Sequence, residues 1–199
     1  MTHFSTLRDD ETNIEESSVN IFKKRVKVNH SKFIDFFCPN EMTSSRVNTI
    51  FSKEPETVEW IDSFENNSVF WDIGANIGLY SLYAALVHDS KVFAFEPAAS
   101  NYFCLCKNIE LNKLDKQIFP LCVSFSDQTK IAPLNMVSTE YGSSQNEFDY
   151  EKNDLGKNPD FMFQQSSIGF TINDFIKIYN PSLPNHLKID VDGIESLII

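Results

Sequence analysis

An α/β fold, with helices on both faces of a parallel sheet in three αβα layers, is predicted by three observations. Apolar strands alternate with short helical segments through the middle of the chain, the pattern of parallel βαβ units with right-handed crossovers. The first strong strand, near residues 68–73, carries an acid and runs into a glycine-spaced loop, Asp72-Ile73-Gly74-Ala75-Asn76-Ile77-Gly78. A second strand, Lys91 to Phe95, is followed by Glu96, 22 residues after Gly74. In open parallel sheets ligands bind beyond the carboxyl ends of the strands, and an acid there reaches ribose hydroxyls.

Taken in order, residues 1–45 read as an N-terminal extension and residues 46–199 as one domain. In the extension Asp9, Asp10, Glu11, Glu15 and Glu16 precede Lys23, Lys24, Arg25 and Lys27, a polar lead-in to a first strand or helix. Between Asn48 and Glu65, Ile50, Phe51, Val58, Trp60, Ile61 and Phe64 predict helical segments that cap the sheet. The strand at 68–73 is followed by a helix at 79–87, the strand at 91–95, a helix at 99–112 and a strand at 118–123. Tyr102, Leu105, Cys106 and Ile109 form the core face of the second helix. Residues 124–168 break the rhythm with a long polar stretch containing Tyr141-Gly142-Ser143-Ser144, read as a lid or substrate-facing hairpin, with a surface insertion as the other reading. Thr171 and Asp174 are spaced to cap a helix over 172–179, Pro181 and Pro184 stop it, and Leu187 to Val191 form the next strand.

Size and charge narrow the function. A chain of 199 residues with 42% hydrophobic and 13% aromatic residues has enough apolar surface for one core. Its net charge of -11 disfavours nucleic acid, whose phosphates are met by clustered Lys and Arg. The polar start lacks an export signal and no run is apolar enough to span a bilayer, so a cytoplasmic chain without membrane contact is expected. Cys38, Cys104, Cys106 and Cys122 lack paired C-x-x-C spacing and read as reduced, packed thiols.

The loop decides the ligand class. Gly74 and Gly78 permit backbone conformations closed to other residues, and Asn76 tolerates the left-handed region while offering an amide. The spacing is G-x-x-x-G, so the G-x-G-x-x-G dinucleotide fingerprint is missing, as is the Lys-Ser/Thr of a P-loop. Asp72 would repel a pyrophosphate and favour a cation. S-adenosylmethionine carries a sulfonium and an ammonium at one end and a ribose at the other, which suits carboxylates at Asp72 and Glu96.

Three blocks then carry a resemblance: Asp72 to Gly78, Phe95-Glu96-Pro97, and Leu187-Lys188-Ile189-Asp190-Val191-Asp192-Gly193-Ile194-Glu195, with Thr171-Ile172-Asn173-Asp174-Phe175 upstream of the last. Over residues 46–199 the chain resembles the FkbM family of class I S-adenosylmethionine-dependent methyltransferases. The resemblance implies a Rossmann-like sheet with strand order 3-2-1-4-5-7-6, which this chain would leave after its fourth strand, with the C-terminal strands missing. It implies cofactor contacts at Asp72, Gly74, Asn76, Gly78, Glu96, Pro97 and Asp190. It further implies O-methylation of a hydroxyl on a sugar, glycan or other small metabolite.

His3 and His30 precede the core, and His88 and His186 fall at the edge opposite the expected crevice, so no histidine is a favoured general base. Asp190 and Asp192 are the catalytic candidates, at the carboxyl end of the strand expected beside the first one. Asp190 either meets the methionine end of the cofactor or helps deprotonate a hydroxyl. A divalent metal held by the two carboxylates is the alternative and is not favoured; Asp192-Gly193 also suits a plain turn. Two other functions stay open: a nicotinamide-dependent oxidoreductase, and a non-catalytic remnant that binds a partner through its open sheet edge. The oligomeric state is not legible in the sequence.

Overall fold

The computed structural model describes residues 22–28, 31–149, 160–191 and 195–198. The described residues open with an antiparallel hairpin, β1 (Lys23–Lys27) and β2 (Phe33–Phe37), followed by α1 (Glu41–Asn48) and α2 (Pro55–Asp62). The central unit is β3 (Val69–Ile73), α3 (Leu79–His88), β4 (Lys91–Phe95), α4 (Ala99–Asn112) and β5 (Ile118–Leu121). Next come β6 (Ser124–Phe125), β7 (Lys130–Met136), β8 (Glu147–Phe148) and β9 (Phe163–Phe170). The described chain closes with α5 (Ile172–Tyr179), β10 (His186–Ile189) and the single turn α6 (Glu195–Ile198).

The central sheet has the order β10-β3-β4-β5, all parallel. Because successive strand residues point to opposite faces, β3 and β4 each serve two cores. Phe70, Val92 and Ala94 face Leu82, Ala85, Leu105 and Ile109 from α3 and α4. Trp71, Ile73 and Phe95 face the other way, onto α5. There Phe175 is the hub, with ring centroids 5.1 to 5.8 Å from Trp71, Phe95, Phe125, Phe170 and Tyr179. Helices on both faces of a parallel sheet make the three-layer, Rossmann-like α/β fold. Thr171 caps α5, its side chain accepting from the Asp174 N–H at 3.0 Å.

The expected boundary at residue 45 does not coincide with a break in packing. Ile34 and Phe36 of β2 are buried in the same core as Leu105 and Ile109. Two asparagines on α4 peg the strand: the Asn112 side-chain oxygen accepts from the Asp35 N–H at 2.9 Å, and that of Asn108 from the Phe37 N–H at 2.6 Å. α1 begins at Glu41, capped by Asn40, so it straddles the boundary. β2 reads Phe-Ile-Asp-Phe-Phe, with four apolar residues around the single charge of Asp35, and it buries Ile34 and Phe36 against α4.

Asp35 binds Arg25 at 2.7 Å and Lys23 at 2.7 Å. The Arg25 hydrogen bond, with help from Lys23 and against the effect of burial, holds the Asp35 carboxyl down at about 2. A carboxyl held below its unfolded value stabilises the fold above that value, and the contribution disappears as pH falls through the folded one. Asp35→Asn is therefore expected to lower stability at neutral pH and to flatten the loss between about pH 4 and pH 2. Urea melts of both proteins across that range check this; parallel pH curves would contradict it.

The polar stretch after β5 folds as a second sheet, ordered β6-β9-β7-β8, built on the antiparallel pairing of β7 with β9. Its inner face, Ala132, Leu134 and Met136 with Phe148, packs on Ala98 at the entrance to α4. That contact sets the second sheet beside the carboxyl ends of β3 and β4. Part of the stretch, residues 150–159, lies outside the described residues.

Candidate functional site

The glycine-spaced loop is shaped by close packing. Gly74 and Gly78 have φ of +82° and +87°, and Asn76 lies in the left-handed region at +50°. A Cβ on Gly74 would stand 1.9 Å from the Asp190 carbonyl oxygen, so the missing side chain lets β10 close against the tip of β3. A Cβ on Gly78 would meet Leu105 Cδ1 at 2.5 Å and Leu82 Cδ1 at 2.8 Å. The loop's own amides are spent inside the fold. The N–H groups of Gly74 and Ala75 donate to Phe95 O, Asn76 to Glu96 Oε2, Ile77 to Asn76 Oδ1, and Gly78 to Ala75 O.

Around this loop a cleft of about 840 Å³, counted out to its open mouth, runs along the carboxyl ends of β3, β4 and β10. Gly74, Asn76, Glu96, Pro97 and Asp190 all line it. Its far wall is Phe95, Val123, Ser124 and Phe125, and its roof is Leu134, Ser143 and Phe148 from the second sheet and its loop. A smaller cavity adjoins at the Gly74 end, sharing Gly74, Asn76, Asp190, Arg46, Lys53 and Glu54 and adding Tyr80 and Lys188.

Glu96 is the best-organised group. It is 5% exposed, and its two oxygens accept from the Asn76 N–H at 2.8 Å and the Ala98 N–H at 2.9 Å. Burial, outweighing those donors, pushes its carboxyl up to about 7. Asn101, fully buried on α4, and Asn76 both donate side-chain N–H to the Ser143 carbonyl, at 2.9 and 2.8 Å. The Gly142 N–H returns a bond to Asn101 Oδ1 at 2.8 Å, so the loop before β8 is tied to the glycine loop.

Asp72 does not face the cleft, a correction to the expectation that it meets the cofactor. The parity of β3 puts it on the Phe70 side, toward α3, where Ser81 Oγ donates to it at 2.6 Å. At 1% exposure, burial raises its pKa, opposed first by Lys188, whose Nζ stands 4.0 Å away, and then by Ser81. Gly78 likewise packs on α3 and α4 and does not line the cleft. Asp190 does: its side chain is 53% exposed and fixed by Lys188 at 2.8 Å. Asp192 lies outside the described residues. His186 stacks on Phe64 at 3.6 Å, and neither it nor His88 lines the cleft. Among the described residues no group of three or more His, Cys, Asp or Glu side chains is placed to hold a metal, and no helix is long and apolar enough to cross a membrane. Sequence reasoning missed Arg46, Lys53, Asn101 and Ser143; only the placement of Ser143 in a long polar segment hinted at a role.

The order β5-β4-β3-β10 agrees with the 3-2-1-4 order that the sequence resemblance implies, with the cleft at the carboxyl ends of these strands. No known family model matches the sequence. Over 85 residues the chain is 34% identical to the protein named methyltransferase sdnD of Sordaria araneosa, covering 42% of this chain and 33% of that protein. It thus spans about a third of the length of that curated relative. Similar solved structures include M. jannaschii TYW2 in complex with AdoMet, 24% identical over 50% of this chain and 42% of that one, with a TM-score of 0.36. Another is the C-terminal domain of precorrin-6Y C5,15-methyltransferase from Rhodobacter capsulatus, 21% identical over 37% of this chain and 40% of that one, with a TM-score of 0.34.

Proposed function

We propose that this chain binds S-adenosylmethionine in the cleft and forms the cofactor-binding part of a methyltransferase of the FkbM type. The observation that carries the reading is Glu96, a buried carboxylate at the tip of β4 that faces the cleft beside a loop with no spare N–H groups. A dinucleotide needs loop amides for its pyrophosphate, and from Gly74 to Gly78 each amide already has a partner. S-adenosylmethionine has no phosphate and makes no such demand. This favours the methyltransferase over the oxidoreductase, in line with the named methyltransferase that shares 34% identity over 85 residues.

The lining fits the cofactor piece by piece. Phe95, Val123 and Phe125 offer an apolar wall for adenine, and Glu96 has lone pairs left for ribose hydroxyls. Asp190, held by Lys188, is positioned for the ammonium of the methionine end. When bound, the cofactor supplies a methyl group activated by its sulfonium, so the chain's task is to orient and to exclude water. The roof of Leu134, Ser143 and Phe148 performs the exclusion. With Asp190 on the ammonium, Asp192 is the proposed group for removing a proton from the acceptor; Asp190 takes that role only in the alternative in which it does not hold the ammonium. A hydroxyl on a sugar or small metabolite is the proposed acceptor, following the FkbM resemblance.

Calorimetric titration with S-adenosylhomocysteine, alongside circular dichroism of the same sample, tests this. Micromolar binding is expected; a folded chain with no affinity would overturn the proposal.

A further inference from the structure

Arg46 brings a positive charge into the cleft of a chain of net charge -11. It projects from α1 into the cleft, and its Nε donates to the Gly142 carbonyl at 2.6 Å. That bond fixes the guanidinium while leaving its terminal nitrogens to other uses. The other cations nearby are compensated: Lys188 by Asp190 at 2.8 Å, and Lys53 by Glu54 at 3.5 Å. Among the described residues no carboxylate forms an ion pair with Arg46.

Its position is as informative as its charge. Arg46 lines both the cleft and the adjoining cavity, as do Gly74, Asn76 and Asp190, and these shared residues mark where the two spaces meet. Glu96, Pro97 and the Val123 to Phe125 wall belong to the cleft alone, which sets the ribose and adenine contacts at the other end. A zwitterionic amino acid at the junction would find a carboxylate in Asp190 for its ammonium and a guanidinium in Arg46 for its carboxylate. The planar fork of arginine matches a carboxylate in a way a lysine does not.

We infer that Arg46 anchors the carboxylate of the cofactor's amino-acid end, pairing with Asp190 to clamp the zwitterion. This rests on the reading of the cleft as an S-adenosylmethionine site. It adds a contact from α1, upstream of every motif that carries the family resemblance.

The test compares two ligands on the full chain. S-adenosylhomocysteine carries the amino-acid end; 5′-methylthioadenosine keeps adenine, ribose and sulfur but lacks it. Arg46→Gln, which retains a side-chain N–H for the Gly142 carbonyl, is expected to weaken S-adenosylhomocysteine roughly tenfold to hundredfold, the scale of a hydrogen bond to a charged group. Binding of 5′-methylthioadenosine is expected to change by no more than about twofold, because its contacts lie at the other end. Equal weakening of both ligands would show that Arg46 acts only by holding the Gly142 loop and would overturn the inference. So would unchanged binding of both. A wild-type chain that binds neither ligand would overturn the cofactor reading itself, and this inference with it.

Discussion

Gly74→Ala is expected to cost the chain about 2 to 5 kcal/mol of stability, from left-handed strain of about 1 to 2 and overpacking of about 1 to 3. The strain arises because Gly74 sits at φ +82°, where an L-residue brings its Cβ against the backbone. The overpacking is of the stubborn kind. The new Cβ would lie 1.9 Å from the Asp190 carbonyl oxygen and 2.8 Å from its carbon, and neither atom can turn aside as a side chain can. Relief requires β10 to move away from β3, straining the bond from the Asp190 N–H to Ile73 O at 3.0 Å. Gly78→Ala is the matched control. It has the same handedness at φ +87°, but its Cβ meets the tips of Leu105 and Leu82, which can shift rotamer. Denaturant unfolding of both variants should therefore rank Gly74→Ala as the more damaging. The reverse ranking would mean that β10 is free to move, and with it the placement of Asp190 on the cleft wall.

The parts of this architecture that are legible in the sequence are those with local causes. β4 lies at Lys91–Phe95 and α5 at Ile172–Tyr179, as the strand pattern and the Thr171 cap predict. Glu96 was expected in the crevice because it ends a strand, and it lines the cleft. At Asp72 strand parity outweighs residue type: alternation from Phe70 places its side chain on the helix side of β3. Arg46 and Ser143 are a different case. Arg46 reaches Gly142 across 96 residues, and Asn76 reaches Ser143 across 67, distances over which no periodicity or capping rule extends. The second sheet brings them together, and it was visible in the sequence only as a polar interruption.

Affinity for S-adenosylhomocysteine is expected to rise about tenfold per pH unit from roughly pH 5 to pH 7 and then to level off, with Glu96 as the cause. Ribose hydroxyls donate to a carboxylate, so bound ligand favours the ionised form of Glu96. In the free chain burial holds that group protonated up to about 7, and ligand binding below this pH must expel the proton. The same shift governs stability with the opposite sign. A carboxyl whose folded pKa exceeds its ordinary value of 4.5 stabilises the fold below that value, and the contribution is lost as pH rises through the folded one. Over that window the loss is about 3 kcal/mol. Glu96→Gln removes both effects, since it cannot ionise. Its amide would also oppose one of the two N–H donors from Asn76 and Ala98, a cost that does not vary with pH. The variant should therefore bind weakly with a flat pH profile, and its stability should vary less between pH 4.5 and 7 than that of the parent chain. Methylthioadenosine shares the ribose, so it should show the same slope in the parent chain, which separates this end of the cleft from the Arg46 end. A slope that survives in Glu96→Gln would assign the titration to another group and remove Glu96 from the ribose contact.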